Sequence, residues 1–436
     1  MNWDIPKLEE LEDIVWRCTA CGNCKTAYQF GPPPTFGEIC PAGVEFGFDG
    51  NMASKGKIAF ARGILDGELE WTDEFVDAIY KCTVCAGCQN QCELDHKPFI
   101  PEIIEAMRRK AVDDGVGPMP TQKVIAQSMR SYNNPYQGPR RVRTDWTRPF
   151  KKAKKPIKNI MKEKAPVLYY VGCTGAFNLP VRNLPVATAS IFQKLGIDFG
   201  ILGENEICCG STAMRLGDKE AYVRVAETNL ETFKKLHEEQ GVNTIVTSCA
   251  GCYRAFKKDY SLCQEYDEML DGIEIIHTTD YLFKMFTEGQ MKFTKSLPWK
   301  VTYHDPCHTG RHLIDYEVDK DGSQAYAGCY MGKSTDDCLF DIPRDMLKSI
   351  PDLEFFEMER IRDNSYCCGG GGGVMTGYGD WAAKNAGLRI QEGMATGAEK
   401  MVSICPFCHY NLNEGAKHVG SDMRLYDLVE LIDQAL

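Results

Sequence analysis

A chain of 436 residues with 43% hydrophobic and 25% charged residues is long enough for two or three domains with proper cores, and its composition excludes a disordered chain. A net charge of −11 argues against nucleic acid as a partner, and no window approaches 18 consecutive apolar residues, so no membrane-spanning helix is expected. The opening residues lack the basic-then-apolar layout of a secretory signal, so a cytoplasmic location is expected, with membrane association only through a partner; there, 21 cysteines point to metal or redox chemistry rather than disulfide staples.

In chain order, residues 8–16 have the periodicity of an amphipathic helix that delivers Cys18. Cys18, Cys21 and Cys24 follow at Cys-x2-Cys-x2-Cys spacing, and Cys40, followed by Pro41, comes sixteen residues after Cys24. A second set holds Cys82, Cys85, Cys88 and Cys92. Three thiolates at that spacing wrap one corner of a cubane, and in two-cluster ferredoxins the remote cysteine serves the other cluster. Cys18, Cys21, Cys24 and Cys92 are therefore assigned to one [4Fe-4S] cluster, and Cys82, Cys85, Cys88 and Cys40 to another. Four-cysteine zinc sites are the competing reading, but they usually take their cysteines in separated pairs. Two departures from the ferredoxin spacing stand out: the long gap before Cys40, with an expected surface loop at residues 31–34, and Glu93 rather than Pro after Cys92.

Between the two cysteine sets, residues 54–65 and 72–80 read as helices. From Gly117 to Ala165 the periodicity is lost and Pro, Gly and Asn accumulate, so residues 119–165 are expected to be a linker. From Arg140 to Lys164 it carries eleven Lys or Arg against Asp145 and Glu163. The plain reading is a solvated strip; the alternative is a docking strip for an acidic partner or a membrane surface.

Beyond Ala165 the chain repeats itself. Cys173, Cys208, Cys209, Cys249 and Cys252 are answered by Cys307, Cys367, Cys368, Cys405 and Cys408: a lone cysteine, a Cys-Cys-Gly, and a Cys-x2-Cys. Apolar runs at 167–171, 244–247, 301–303 and 400–404 read as buried parallel strands, so the cysteines fall where strands end, the place where open α/β sheets hold ligands. Five thiolates exceed the four that a cubane or zinc needs. Gly210, Gly369 and Gly370 are expected to let backbone approach a cofactor and to supply N–H donors to its sulfurs. The second copy carries about 25 extra residues near 314–339, with Cys329 and Cys338; metal ligands, caps of a substrate cleft and plain buried thiols are the readings open for these two and for Cys263, the last being favoured. His304 and His308 flank Cys307 as candidate proton donors or framework residues, with His409 the weaker case. No strand is followed by G-x-G-x-x-G opening a helix, so no dinucleotide site is expected.

These motifs carry a resemblance. Ser54-Lys-Gly-Lys-Ile58 before the second cysteine set is similar to the helical ferredoxin module of heterodisulfide reductases and of anaerobic glycerol-3-phosphate and glycolate dehydrogenase subunits. Glu206-Ile-Cys-Cys-Gly-Ser, Thr247-Ser-Cys-Ala-Gly-Cys, His304-Asp-Pro-Cys-His, Tyr366-Cys-Cys-Gly-Gly and Cys405-Pro-Phe-Cys resemble the paired cysteine-rich "CCG" domains of the catalytic heterodisulfide reductase subunit, and the whole chain resembles its D-like forms. The fold implied is α/β plus α. A helical two-[4Fe-4S] domain occupies 1–118, the linker 119–165, and two duplicated Rossmann-like CCG domains 166–297 and 298–436. The resemblance further implies two noncubane [4Fe-4S] clusters on the ten cysteines, with a disulfide cleaved reversibly to thiols between them. Implied partners are a flavoprotein, a membrane haem subunit or an acyl-CoA reductase module, with a small-molecule or protein disulfide or thiol as substrate. The alternative function is a non-catalytic electron relay in a larger anaerobic complex, such as a benzoyl-CoA-type reductase or a flavin dehydrogenase.

Overall fold

The computed structural model describes residues 1–27, 35–48, 54–316 and 335–436. The expected loop at 31–34, Cys329 and most of the extra stretch near 314–339 lie outside the described residues. The N-terminal region is helical, as its periodicity requires: Glu12–Trp16, Ser54–Leu65, Asp73–Tyr80 and Ile100–Asp113 are its main helices. Thr72 starts the third by accepting a hydrogen bond from the Phe75 amide at 3.2 Å. Their apolar faces meet over Leu8, Val15, Ile58, Ile79, Ile103 and Met107.

The segment 119–165 differs from the expectation of a solvated linker. It contains the helix Pro120–Tyr132, the 3-10 stretch Arg140–Thr147, the helix Arg148–Lys152 and strand β1 (Lys158–Asn159). Proline at the first position starts the long helix and left-handed Asn133 (φ 56°) stops it. Most of its basic side chains are exposed, but Arg143 and Trp146 are buried against the rest of the molecule.

Two parallel sheets follow. The first holds β2 (Val167–Tyr170), β3 (Phe199–Ile201), β4 (Thr244–Thr247) and β5 (Glu274–His277), in the order β1-β3-β2-β4-β5. The second holds β6 (Lys300–Tyr303), β7 (Glu354–Phe356), β8 (Lys400–Ser403) and β9 (Arg424–Asp427), in the order β7-β6-β8-β9. Leaving out β1, the two orders are the same, and so is the register: Val167 lies beside Thr244 as Val301 lies beside Lys400. The internal repeat read from the cysteines is thus a repeat of topology. In each sheet the chain leaves the central strand to one side and returns on the other, which opens a crevice at the strands' carboxyl ends.

The two units face each other. Helix Asn183–Lys194 packs on the final helix Leu428–Ala435, and helix Ala250–Arg254 lies against Cys307–Thr309. One hydrophobic core runs through both sheets and reaches Val76, Tyr80 and Cys85 of the N-terminal region. Among the described residues, no helix is long and apolar enough to cross a membrane.

Candidate metal centre between the two sheets

At the first sheet, Cys173 follows β2 through Gly172, whose φ of 78° and lack of a side chain are both needed. A Cβ there would stand 3.2 Å from Cys252 Sγ. Cys208 and Cys209 precede Gly210 (φ 84°), whose amide donates to Cys208 Sγ at 3.4 Å. The carbonyls of the pair are held from behind: Asn229 Nδ2 donates to Cys208 O at 3.0 Å, and Tyr260 Oη to Cys209 O at 3.0 Å. Cys249 ends the loop after β4, and one helical turn places Cys252 beside it. From the supposed linker, Arg143 donates to Cys173 Sγ through both terminal nitrogens at 3.6 Å and pairs with Glu206. Burial works against the guanidinium charge, but Cys173 and Glu206 hold its pKa above the ordinary value.

The second sheet repeats the device. Gly369 (φ 89°) donates its amide to Cys367 Sγ at 3.3 Å. Asn385 Nδ2 donates to Cys367 O at 2.9 Å, and Asn411 Nδ2 to Cys368 O at 2.6 Å. Pro406 opens the helix that carries Cys408 and leaves Cys405 as its cap. Asp305, between His304 and Cys307, forms a two-point pair with Arg344 at 2.6 and 2.9 Å and accepts the Arg362 amide. Asn229 and Asn385, which do the same work in the two copies, escaped the sequence reading; they stand 21 and 18 residues after the first cysteine of each pair.

All ten cysteines of the two sets line one cavity of about 250 Å³ between the sheets, together with Gly370–Gly373, Arg215, His308 and Phe407. The sets meet at the seam, where Cys249 and Cys405 lie close enough to shift each other's pKa. Crowding shifts the thiols unequally. Hydrogen bonds from Cys208 and Cys252 hold Cys209 down to about 6, and bonds from Cys252 and Cys405, with backbone amides, lower Cys249. His308 is kept neutral by burial and by the nearby charges of Arg254 and Arg215. Arg254 Nη1 donates to its Nε2 at 3.3 Å. Behind the cavity wall, Arg215 is tied to Glu105 at 3.2 Å and to Asp259 at 2.5 Å, a buried ionic cluster without a sequence signature. Two further groups bring donor atoms within 4.8 Å of one another: His304 with Cys368 and Cys408, and Cys307 with His308 and His312. His409 lies beside Glu430, 3.9 Å away, and burial lowers its pKa to about 4.

The N-terminal cysteines lie in two neighbouring places. Cys40, Cys82, Cys85 and Cys88 line a small cavity of about 20 Å³ with Lys57. Cys92, pushed up to about 12 by burial, lies close enough to Cys24, Cys21 and Cys18 to feel their charge. The backbone is held in the left-handed region at Ala20, Val84 and Ala86 (φ 57°, 49° and 60°), the residues next to Cys21 and Cys85. For β-branched Val84 that conformation is costly, and such strain gathers at functional sites. Cys85 in turn lies close enough to Cys367 of the second sheet's set for each to shift the other's pKa. Cys263 is a buried thiol bonded to Glu265, and Cys338 is half-buried beside Thr335 and the Gly310 carbonyl.

Known proteins bear on this arrangement. The family model described as a cysteine-rich domain, CCG, matches residues 167–257 and 323–413. The chain is 32% identical to the D-type component of the dihydromethanophenazine:CoB–CoM heterodisulfide reductase of Methanosarcina mazei, over 96% of this chain and 93% of that one. It is 26% identical to the EtfAB:quinone oxidoreductase of Syntrophomonas wolfei, over 98% of this chain and 60% of that one. It is also 26% identical to one of the subunits of the fumarate reductase (CoM/CoB) of Methanothermobacter marburgensis, over 82% and 62%. Among solved structures, a hypothetical protein from Helicobacter pylori shares the fold with a TM-score of 0.53 at 10% identity, over 87% of this chain and 68% of that one.

Proposed function

The chain belongs to the family of D-type heterodisulfide reductase subunits, and from that premise we propose that it is an iron–sulfur oxidoreductase subunit with four [4Fe-4S] groups. Two are cubanes, on Cys18, Cys21, Cys24 and Cys92 and on Cys40, Cys82, Cys85 and Cys88. Two are noncubane, on the five-cysteine sets of the two sheets. The donor sets fit such groups. Thiolates are soft ligands suited to iron–sulfur clusters, and the cavity lining among the described residues contains no carboxylate to favour a hard cation. Gly210 and Gly369 bring backbone amides onto the sulfurs, as cluster sulfurs require. When bound, these groups supply one-electron redox steps.

The observation that carries the reading is the continuity of the thiols. Cys24 lies near Cys88, Cys85 near Cys367, and Cys405 near Cys249, so the four sets form a series from the N-terminal region to the first sheet. Cys21 is the exposed thiol at the outer end, where a redox partner delivers electrons. Cleaving a disulfide to two thiols takes two electrons and two protons, and the seam at Cys249 and Cys405 is where such a substrate meets both five-cysteine sets. The domain division that follows is 1–118, 166–297 and 298–436, with 119–165 packed as part of the first site. Candidate partners are a flavoprotein, a membrane haem subunit or an acyl-CoA reductase module.

A second reading, an electron relay without a disulfide, is favoured by the likeness to the EtfAB:quinone oxidoreductase over 98% of the chain, since that name specifies no disulfide. Anaerobic purification from the native cell, with iron, sulfide and co-purifying proteins measured, tests the proposal. About sixteen iron and sixteen sulfide per chain are expected for four clusters. About eight of each would leave the five-cysteine sets without clusters and overturn it. Co-purification with a membrane haem subunit or a hydrogenase-like donor alone favours disulfide chemistry; a stable assembly with a separate catalytic module favours the relay.

A further inference from the structure

The two five-cysteine sites are duplicates in topology but differ in how a guanidinium meets their thiols. At the first, the Arg143 side chain, 3% exposed, reaches from the 119–165 segment and sets both terminal nitrogens 3.6 Å from Cys173 Sγ. Its counter-ion shares one of those nitrogens, since Nη2 donates both to Cys173 Sγ and to Glu206 Oε1. Glu206 is fixed in turn by the amides of Val171 at 3.0 Å and Gly172 at 2.9 Å, and so holds the guanidinium in place as a donor to the sulfur. Phe177, 5.3 Å from the guanidinium, closes the contact from water. At the second site, Cys307 holds the matching place after β6, and among the described residues no guanidinium donates to its sulfur. Arg311 brings its charge close to Cys307 and Cys367, but its hydrogen bonds go to the carbonyls of Cys85, Asp363 and Ser365.

A fixed positive charge in a water-poor site favours whichever oxidation state carries more negative charge. Hydrogen bonds to the sulfurs of a cluster raise its potential in the same sense. We propose that Arg143 is a positioning residue that raises the reduction potential of the first site and so favours passage of an electron onto it. The step it biases moves one electron from the second site to the first; no bond is made or broken and no proton moves. The inference rests on the proposal that both five-cysteine sets hold iron–sulfur groups. It gives the 119–165 segment a part in the redox chemistry that its composition does not announce.

Redox titration of the anaerobic holoprotein, followed by electron paramagnetic resonance, tests it with three variants. Arg143→Gln is expected to lower the potential of one of the two five-cysteine signals by a factor of at least ten in its equilibrium constant, about 59 mV for a one-electron couple. The other three signals stay in place as internal controls. Arg143→Lys, which keeps the charge, restores most of the shift. Glu206→Gln, which removes the counter-ion, moves the same signal upward. This variant decides the matter if Arg143→Gln does not load its iron. Full iron content with unmoved potentials in Arg143→Gln, equal shifts of all signals, or an unmoved signal in Glu206→Gln overturns the inference. A wild-type protein with no iron in the first site overturns the proposed function instead.

Discussion

His304 shows how one side chain can separate two copies of the same strand. Just after β6 it takes the place that Tyr170 has at the end of β2, where the Tyr170 hydroxyl donates to the Ile207 carbonyl. Arg389 Nε donates to His304 Nδ1 at 3.2 Å. A guanidinium has no acceptor, so Nδ1 must offer its lone pair there, and the neutral ring carries its proton on Nε2. The hydrogen bond that His304 makes to Cys368 then falls to Nε2–H. Replacing His304 by Phe removes that donor while keeping an aromatic ring, and is expected to lower the potential of the second site's signal and leave the first unchanged. Potentiometry on the holoprotein reads this, and equal potentials in variant and wild type would sink the role. The ten cysteines at this scale were legible because their spacing repeats. Asn229, Asn385 and Arg143 were not, since each acts on a carbonyl or sulfur 18 to 30 residues away along the chain. Such a bond leaves no local pattern.

Elements with ordinary capping were legible in the same way: Ser54–Leu65 and Asp73–Tyr80 lie where periodicity and Thr72 place them. The helix Pro120–Tyr132 was hidden because its flanks are rich in Pro, Gly and Asn, the residues that start and stop helices as readily as they fill linkers. Another element carries a pH dependence. His277, at the end of β5, caps the helix Thr278–Thr287 by accepting the Thr279 amide on Nδ1 at 3.2 Å. Burial drives its pKa down to about 3. Unfolding returns it to the ordinary value near 6.5, so between pH 6.5 and 3 the unfolded chain binds the extra proton. Stability is therefore full above pH 6.5 and falls with pH below it, by at most about 1.4 kcal/mol per pH unit from this residue. His277→Asn keeps a capping acceptor that does not titrate in this range. Denaturant titrations at pH 7.5, 6.0 and 5.0 are expected to show a shallower loss in the variant. A parallel loss would assign the acid sensitivity to other groups.

At the scale of the whole molecule, the redox reading needs the N-terminal region held rigidly against both sheets, and the docking is made by backbone at close range. Gly217 (φ 83°) leaves no room for a Cβ, which would stand 2.5 Å from the Arg108 carbonyl carbon and oxygen. Gly372 is in the same position against the Cys82 carbonyl, also at 2.5 Å. Between these contacts the fully buried Arg108 donates to five carbonyls: Ile79, Tyr80 and Cys82 of its own region, Arg215 beside the first site, and Gly372 beside the second. Each of those carbonyls, once buried, costs free energy if its donor is lost. Arg108→Met retains much of the apolar bulk and removes all five bonds, and a loss of about 3 kcal/mol or more is expected from the unsatisfied groups. Gly217→Ala strains the same joint from the other side, through both its left-handed backbone and the Arg108 contact. Gly241, with φ 77° and open space around its Cβ position, is the control, since Ala there meets only the backbone penalty. If the joint aligns the thiol series, Arg108→Met and Gly217→Ala raise amide exchange in Ile100–Asp113 and slow reoxidation of the five-cysteine signals through the N-terminal clusters, while Gly241→Ala does neither. Faster exchange with unchanged electron passage would mean that Cys85 and Cys367 keep their contact without this clamp, and that the docking serves stability alone.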